Sequence, residues 1–290
     1  MTHSTFLDNA LAQARTLLFV PGNRPERFSK ALASGADAVV LDLEDSVPLS
    51  AKQGAREAIR DAWADLCAAG VPLVVRINAS ESSSGAEDIE WFGSAPFATA
   101  PSAVMVPKAG SRASLEYLAG RLPGAALLPI IETAAGYAAL PELAAAPGVL
   151  RLAVGHIDFL ADTGLQCSAD EAELVPLRFA VAMATRLHGL APALDGVTVA
   201  IDDEARLRAD TFRALRFGFG GKLCIHPRQV AVVHAAMTPS AEEVTWARCV
   251  IAADAASGGA AVQLDGRMVD APVVLQARRV LARLRGSEPT

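Results

Sequence analysis

Residues Ala38–Asp45, which read AVVLDLED, give the clearest indication of the fold. Its first four residues form an unbroken run of apolar side chains, which is typical of a parallel strand buried on both faces. Three acids, Asp42, Glu44 and Asp45, end the stretch. The segment therefore predicts a buried strand whose carboxyl end carries charged groups.

Seven further runs along the chain have the same apolar character. The eight starts are spaced by about 29 residues on average, which is the length that a strand, a helix and two loops require. The predicted strands are Thr16–Val20, Ala38–Leu43, Leu73–Ile77, Ala103–Val106, Leu127–Ile131, Leu152–Ile157, Gly196–Ile201 and Lys222–Ile225. Segments rich in Ala, Leu, Arg and Glu separate most of these runs and predict helices.

Eight strand and helix units predict a closed (β/α)8 barrel, an α/β fold of the TIM-barrel class. The alternative, a doubly wound sheet, lacks support because no Gly-x-Gly-x-x-Gly follows the first strand and no Gly-Lys-Ser/Thr closes a loop. Residues 1–237 are assigned to the barrel. Residues 238–290 form a predicted C-terminal helical extension, with helices at Ala241–Ala256 and Val273–Arg285.

The charge balance excludes several classes of partner. The formal net charge is −6 and the pI is about 5.4, so no positive field would attract nucleic acid or an anionic membrane surface.

The segment Met1–Ala14 lacks the basic and apolar regions of a signal peptide, which predicts a cytoplasmic protein. The four cysteines show no Cys-x-x-Cys spacing, which argues against a zinc site.

Most predicted strands end in a polar group, and barrel enzymes build their sites at those ends. Glu132 and Asp158 end consecutive strands and are 26 residues apart, about one repeat. Two carboxylates at one mouth, with no neighbouring His or Cys ligand, favour Mg²⁺ over Zn²⁺, with Mn²⁺ as a substitute. The alternative is structural: Glu132 caps a helix, and Asp158 pairs with a nearby cation.

Arg76 lies inside the apolar segment Val74–Asn78, where a guanidinium requires an anionic partner. It could clamp a substrate carboxylate or enolate oxygen, or it could form an ion pair with Glu44 or Asp45. Glu44 and Asp45 are themselves candidate catalytic residues, although alternation along the strand predicts that at least one acid of this group points elsewhere.

Other polar residues near the predicted strand ends carry weaker predictions. Lys108 could neutralise the acidic mouth, and His226 could contact substrate or secure a loop. His156 is predicted to point to the same side as Asp158 by strand alternation. For all three residues a structural role is favoured.

Arg24 and Lys30 follow the first strand, near the start of a helix. They form a small positive cluster that could bind a phosphate-bearing ligand, although a solvated helix face is the ordinary interpretation.

Several short motifs occur in a fixed order along the chain. They are Leu18–Gly22, Gly35–Asp37, Leu41–Asp45, Val75–Asn78, Pro107–Lys108, Ile131–Thr133, Gly155 with Asp158, Gly221–Lys222, Ile225–Pro227 and Asp265–Asp270. Together they resemble the citrate lyase β subunit and its malyl-CoA and citramalyl-CoA lyase relatives in the HpcH/HpaI aldolase superfamily.

This resemblance implies a TIM barrel, often trimeric, that holds Mg²⁺ through Glu132 and Asp158. It implies that Arg76 contacts substrate and that CoA enters across the barrel mouth. It also implies that the C-terminal extension of a neighbouring subunit covers the site and delivers Asp270. The oligomer expected on this basis is a trimer or a hexamer.

The reaction implied is cleavage of a 3-hydroxyacyl-CoA, such as citryl-, malyl- or citramalyl-CoA, to acetyl-CoA and a 2-oxo acid, or the reverse condensation. Arg76 would stabilise the enolate oxygen, and Asp270 would return a proton to carbon. One alternative is a CoA-free 2-oxo acid aldolase. Asp45 and Ile130 disfavour it, because they replace the His and Gln that such aldolases carry. Another is a citrate lyase complex subunit that acts on an acyl-carrier protein.

Overall fold

The computed structural model describes residues 9–94 and 103–285, and residues 1–8 of the segment Met1–Ala14 lie outside this part. Within it, eight parallel strands close into a barrel in chain order, which confirms the predicted fold class. The strands are β1 (Thr16–Pro21), β2 (Ala38–Asp42), β3 (Leu73–Arg76), β4 (Ala103–Val106), β5 (Ala126–Ile131), β6 (Ala153–Val154), β7 (Leu194–Asp195) and β8 (Gly221–Cys224).

Helices connect the strands. They are α1 (residues 9–13), α2 (Phe28–Leu32), α3 (Lys52–Ala68), α4 (Ser83–Ser94), α5 (Arg112–Arg121), α6 (Ala134–Ala138), α7 (Leu140–Ala144), α8 (His156–Thr163), α9 (Val175–Leu187), α10 (Glu204–Arg216) and α11 (Pro227–Met237). Short 3-10 turns precede α2, α3 and α9. Helix α4 was not predicted, because its first turn, rich in Ser, carries no helical apolar pattern.

The barrel interior is filled by apolar side chains from all eight strands, among them Val40, Met105 and Leu128. Helix α1 adds Leu11 to this cluster. The fully buried Arg151, just before β6, donates to the carbonyl oxygens of Leu11 and Ala14, both at 2.7 Å. This guanidinium therefore secures α1 against the amino-terminal end of the barrel.

Strand register brings the polar residues of neighbouring strands together. Asp42, the last residue of β2, is paired with Arg76, the last residue of β3. In β1 the partner of Asp42 is Pro21. Because parallel strands end at one edge, these residues all face the carboxyl-terminal mouth of the barrel.

The predicted strands six and seven are wrong in their bounds. β7 covers only Leu194–Asp195, whereas the apolar segment Gly196–Ile201 is irregular. Side chains bind its carbonyl groups in place of a neighbouring strand: Lys222 Nζ donates to Gly196 O at 2.6 Å. In the same way Gln229 Nε2 donates to Thr198 O at 2.7 Å. The apolar pattern alone did not reveal this.

Residue contacts divide the chain after Val233, inside helix α11. The second unit contains α12 (Ala241–Ala256) and α13 (Ala271–Arg285), close to the two helices predicted there. Between them lies an antiparallel hairpin of β9 (Val262–Leu264) and β10 (Arg267–Val269), which the sequence did not predict.

The second unit has its own small core. Ala247 and Val250 of α12 pack with Val269 of the hairpin and with Val274 and Ala277 of α13. The hairpin turns through Asp265 and Gly266, which both have positive φ, at 48° and 77°. Two adjacent left-handed residues are what a two-residue hairpin loop of type I′ requires. Over residues 9–94 and 103–285, no helix combines the length and the apolar character needed to cross a bilayer.

Candidate active site

Glu132 lies directly after β5 and is only 3% exposed. Its Oε1 accepts a hydrogen bond from the backbone N–H of Lys108 at 2.7 Å. Burial, followed by the negative charges of Glu44 and Asp158, raises the pKa of Glu132 to about 8. The side chain is thus a buried carboxyl in a strongly acidic setting, where a cation would favour the ionised form.

The sequence predicted that Asp158 ends a strand, and this is wrong: Asp158 lies in the first turn of α8. β6 stops at Val154, and Phe159 N donates to Gly155 O at 3.0 Å, which starts the helix. The prediction that Glu132 and Asp158 share one mouth does not require Asp158 to lie on a strand. The charge of Asp158 contributes to the raised pKa of Glu132.

Gly155 makes the approach of these two elements geometrically feasible. A Cβ at this position would lie 2.2 Å from Glu132 Oε2 and 2.6 Å from Glu132 Cβ, closer than real Cβ contacts allow. Any other residue would therefore displace the Glu132 side chain. The glycine in the predicted motif has a steric function beside the carboxylate.

His156 was predicted to point to the same side as Asp158, and this is wrong. Both residues lie on a helix, where positions two apart face in different directions. His156 is 7% exposed, and its Nδ1 has no hydrogen-bond partner within residues 9–94 and 103–285. A Cβ added at Gly196 would lie 2.3 Å from that nitrogen, so the ring packs closely against the chain after β7.

Arg76 is held by carboxylates on two sides. Its Nε and Nη2 donate to the two oxygens of Asp42 at 2.6 and 2.7 Å, and its Nη1 lies 2.9 Å from Glu44 Oε2. Phe19 lies against the guanidinium, with the ring centre 4.8 Å from Cζ. The structure thus has the ion pair with Glu44 that was one of the two alternatives for Arg76, but the bidentate partner is Asp42, which the sequence did not indicate. Asp45 lies further away, at 3.6 Å.

The ion pair fixes the charge state of both partners. Burial alone would raise the pKa of Asp42, but the hydrogen bonds and charge of Arg76 lower it below the ordinary value. Likewise, burial opposes the charged form of Arg76, but Asp42, Glu44 and Asp45 raise its pKa above the ordinary range. Arg76 therefore stays cationic at the mouth.

Lys108 connects Glu44, a partner of Arg76, to Glu132. Its Nζ donates to Glu44 Oε1 at 2.5 Å, while its backbone N–H binds Glu132. Its φ of 50° is left-handed, which costs a residue other than glycine about 1 kcal/mol or more.

Burial raises the pKa of Glu44, and the charges of Arg76 and Lys108 only partly offset this.

An open cleft of about 390 Å³ lies beside these residues. Asp45, whose side chain is 55% exposed, and Lys108 line it, together with Lys52 and Asn78 from the next elements. Lys52 Nζ donates to Leu43 O and Glu44 O in the loop after β2, and to Asn78 Oδ1 after β3, so it links the two loops. The cleft therefore has a rigid wall next to the acidic mouth.

The donor set fits a hard divalent cation. Among the residues that the structure describes, no group of three or more His, Cys, Asp or Glu side chains is arranged to hold a metal ion. Two carboxylates that leave the other positions to water and substrate oxygens are typical of Mg²⁺. The space kept by Gly155 and the raised pKa of Glu132 agree with this fit.

Arg24 and Lys30 lie in the segment after β1. Arg24 Nε donates to Glu26 Oε1 at 2.5 Å, and both side chains are about half exposed. Lys30 lies on α2 and is exposed. The predicted phosphate contact thus consists of solvent-facing cations, one of which already has an acidic partner.

Asp270 lies in the second unit, directly before α13. Its Oδ1 is 3.4 Å from Val273 N and its carbonyl oxygen accepts from Val274 N at 3.0 Å, so it caps that helix. His226 Nδ1 accepts from Arg228 N at 3.2 Å, which is a loop-securing contact.

Sequence reasoning missed two polar features near the mouth. Asp162 on α8 accepts a hydrogen bond from Ala134 N at 2.7 Å. A buried cluster joins Arg178 of α9 to Asp195 of β7, with Arg178 Nε 3.0 Å from Asp195 Oδ1, and Lys222 Nζ lies 3.6 Å from the other oxygen. Recognising α8 as a helix would have shown that Asp158 and Asp162 are one turn apart.

The chain is similar to known proteins over most of its length. The model of the HpcH/HpaI aldolase/citrate lyase family matches residues 15–227. The citrate lyase subunit beta-like protein of Deinococcus radiodurans is 38% identical over 282 residues, which cover 93% of this chain and 97% of the relative. The (3S)-malyl-CoA thioesterase of Cereibacter sphaeroides is 32% identical over 93% of this chain and 94% of the relative.

Among solved structures, CitE from Mycobacterium tuberculosis, in complex with magnesium, acetoacetate and coenzyme A, superimposes with a TM-score of 0.81. It is 36% identical and the match covers 96% of this chain and 100% of that chain. The similarity therefore extends over both the barrel and the C-terminal extension.

Proposed function

The chain belongs to the HpcH/HpaI aldolase/citrate lyase family, and from this premise we propose that it is a Mg²⁺-dependent carbon–carbon lyase acting on a 3-hydroxyacyl-CoA. The products are acetyl-CoA and a 2-oxo acid, and the reverse condensation uses the same groups. The observation that carries the proposal is that the charges of Glu44 and Asp158 act on the buried carboxyl of Glu132, while Glu44 lies 2.9 Å from the cation Arg76.

Glu132 and Asp158 are the residues that would hold the ion, with Mn²⁺ as a substitute. When bound, the metal would act as a Lewis acid on the hydroxyl and carboxylate oxygens of the substrate. The Lys108 N–H binds one oxygen of Glu132 and so orients its carboxylate. CitE from Mycobacterium tuberculosis, which binds magnesium together with coenzyme A, supports this assignment.

Arg76 is proposed to stabilise the negative charge that develops on the thioester oxygen as the carbon–carbon bond breaks. Asp42 accepts hydrogen bonds from Nε and from one N–H of Nη2, and Glu44 lies against Nη1. A ligand can therefore bind only the N–H groups of Nη1 and Nη2 that these two acids leave free. Donors fixed in advance need no reorganisation during the reaction, which is the main source of electrostatic catalysis. Glu44 acts through Arg76 and Lys108, and Asp45 adds an exposed acid at the same mouth.

We assign the remaining roles from the family resemblance. Asp270 of a neighbouring copy would supply the proton that converts the enolate carbon to the acetyl methyl group. Arg24 and Lys30 would contact phosphates of CoA, because both are exposed cations after β1. The protein would then act as a homo-oligomer, a trimer or a hexamer, whose C-terminal extension is shared between copies.

A second candidate is hydrolysis of the thioester. The Cereibacter sphaeroides relative is a (3S)-malyl-CoA thioesterase, and it aligns with nearly the whole chain. This reaction would release free CoA and the intact hydroxy acid. A third arrangement, action on a carrier-protein thioester within a citrate lyase complex, would require a protein partner.

The proposal is tested by incubating the protein and Mg²⁺ with citryl-, malyl- and citramalyl-CoA and identifying the products by mass spectrometry. Acetyl-CoA with a 2-oxo acid supports the lyase, whereas free CoA with the hydroxy acid indicates the thioesterase. We expect Glu132→Gln and Asp158→Asn to lower turnover by at least about 100-fold, because each removes a charged ligand. Full activity in both variants would refute the assigned site.

A further inference from the structure

One hydrogen bond joins the two elements that carry the proposed metal ligands. Glu132 is followed, after Thr133, by helix α6, whereas Asp158 lies in the first turn of α8. The backbone N–H of Ala134, the first residue of α6, donates to Asp162 Oδ2 at 2.7 Å. Asp162 therefore connects α8 to the segment that leaves Glu132.

The position of Asp162 on its helix gives this bond its significance. Asp162 is four residues after Asp158, and residues four apart lie on the same helix face. Ala134 is only two residues after Glu132. The bond thus acts within one helical turn of one acid and two residues of the other, a short path for fixing their separation.

A second contact between α6 and α8 is less specific. Tyr137 of α6 and Phe159 of α8 meet edge to face, with ring centres 6.2 Å apart. Such a ring contact holds the helices together but tolerates sliding, since offset arrangements are similar in energy. A 2.7 Å hydrogen bond to a carboxylate is short and directional, and it does not tolerate such sliding.

We propose that Asp162 is a positioning residue for the metal site and sets the separation of Glu132 from Asp158 through the N–H of Ala134. This inference rests on the proposed function, because it takes those two acids as the metal ligands. Groups that orient metal ligands change metal affinity by roughly 10–100-fold. Asp162 is solvent-exposed, so we expect an effect of about tenfold, at the low end of that range.

Two variants remove the same bond from opposite sides. Asp162→Ala removes the acceptor, and Ala134→Pro removes the donor. Proline is favoured at the first position of a helix, and Thr133 already has the extended backbone, φ −138° and ψ 158°, that a following proline needs. We expect each variant to raise the Mg²⁺ Kd about tenfold, measured by titration calorimetry. The double variant should bind Mg²⁺ no more weakly than either single variant.

Matched controls separate positioning from charge. Asp162→Asn keeps an acceptor oxygen while removing the charge, so we expect affinity near the wild-type value. Glu142→Ala removes an exposed acid of the neighbouring helix α7, and we expect no more than about a twofold change from this lost surface charge. The thermal unfolding midpoint of the metal-free variants should stay within about 4 °C of wild type.

The outcomes distinguish the two proposals. Wild-type affinity in Asp162→Ala, equal weakening in Asp162→Asn, or losses that add in the double variant would each overturn the positioning role alone. A wild-type protein that binds no Mg²⁺ would refute the proposed function, and the positioning role with it.

Discussion

Arg76 and Glu132 show how single residues at the barrel mouth are fixed by their neighbours. Asp42 binds one edge of the Arg76 guanidinium, and Glu44 lies 2.9 Å from its Nη1. Lys108 binds Glu44 with its side chain and Glu132 with its backbone. These contacts form a continuous path from the guanidinium to the buried carboxylate. A change at any member is therefore expected to move more than one functional group.

Gly155 supports the first prediction at this scale. In Gly155→Ala the new methyl group would overlap Glu132, so the carboxylate must move, and we expect Mg²⁺ affinity to fall at least about tenfold. Overpacking of this kind also destabilises the fold by roughly 1–3 kcal/mol. Calorimetric titration and urea unfolding measure the two effects.

Gly54 provides the matched control. It lies in helix α3, where an added Cβ meets no atom of the described residues within 4 Å. Gly54→Ala should therefore raise the free energy of unfolding by up to about 1 kcal/mol and leave metal affinity unchanged. If Gly155→Ala binds Mg²⁺ as tightly as Gly54→Ala does, the steric role assigned to Gly155 is wrong.

At the scale of elements, a buried ion cluster fastens helix α9 to strand β7. Arg178 and Asp195 are each 1% exposed at their side chains, and Arg178 Nη2 also binds Glu171 at 2.6 Å. Glu171 has a left-handed backbone, with φ of 55°, and two further arginines bind it, Arg206 and Arg213. The cluster connects the loop before α9, the helix and the strand.

We predict that Arg178→Met lowers the free energy of unfolding by about 1.5–3 kcal/mol, because it removes the charged hydrogen bonds to Asp195 and Glu171. Other cations stay near both acids, so neither charge is left fully uncompensated. Arg186→Met on the same helix is the control. Arg186 is exposed, so its replacement should change stability by no more than about 0.5 kcal/mol. Equal stabilities of the two variants in urea unfolding would show that the cluster does not fasten α9.

At the scale of the whole molecule, the chain forms two units, and the proposed chemistry requires a residue from each. The barrel carries Arg76, Glu132 and Asp158, whereas Asp270 lies in the second unit, before α13. The proposal that Asp270 serves a neighbouring copy makes catalysis depend on assembly. A site shared between copies can be detected by mixing two inactive variants.

We predict that Arg76→Ala and Asp270→Asn, each with turnover lowered at least about 100-fold, recover activity when co-expressed. In randomly assembled oligomers one site in four pairs an intact Arg76 with an intact Asp270, so about a quarter of wild-type activity should return. Asp270→Asn suits this test because asparagine also caps a helix. If both variants are inactive alone and the mixture stays inactive, the site is not shared.

Much of the fold and part of the site could be predicted from the sequence. The barrel followed from repeated apolar runs, and Arg76, Glu132 and Asp158 followed from polar residues placed after those runs. The bounds of β6 and β7 were wrong, because apolar runs do not show whether carbonyl groups are bound by a strand or by side chains such as Lys222 and Gln229.

The order of the strands, the acidic character of the mouth and the candidate residues near it could be read from local pattern, because parallel strands end at one edge of the barrel. The partners of these residues could not. Asp42 rather than Asp45 grips Arg76, and Lys108 joins Glu44 to Glu132. Such pairings depend on strand register and helix placement between residues far apart in the chain, and local pattern carries no record of those distances.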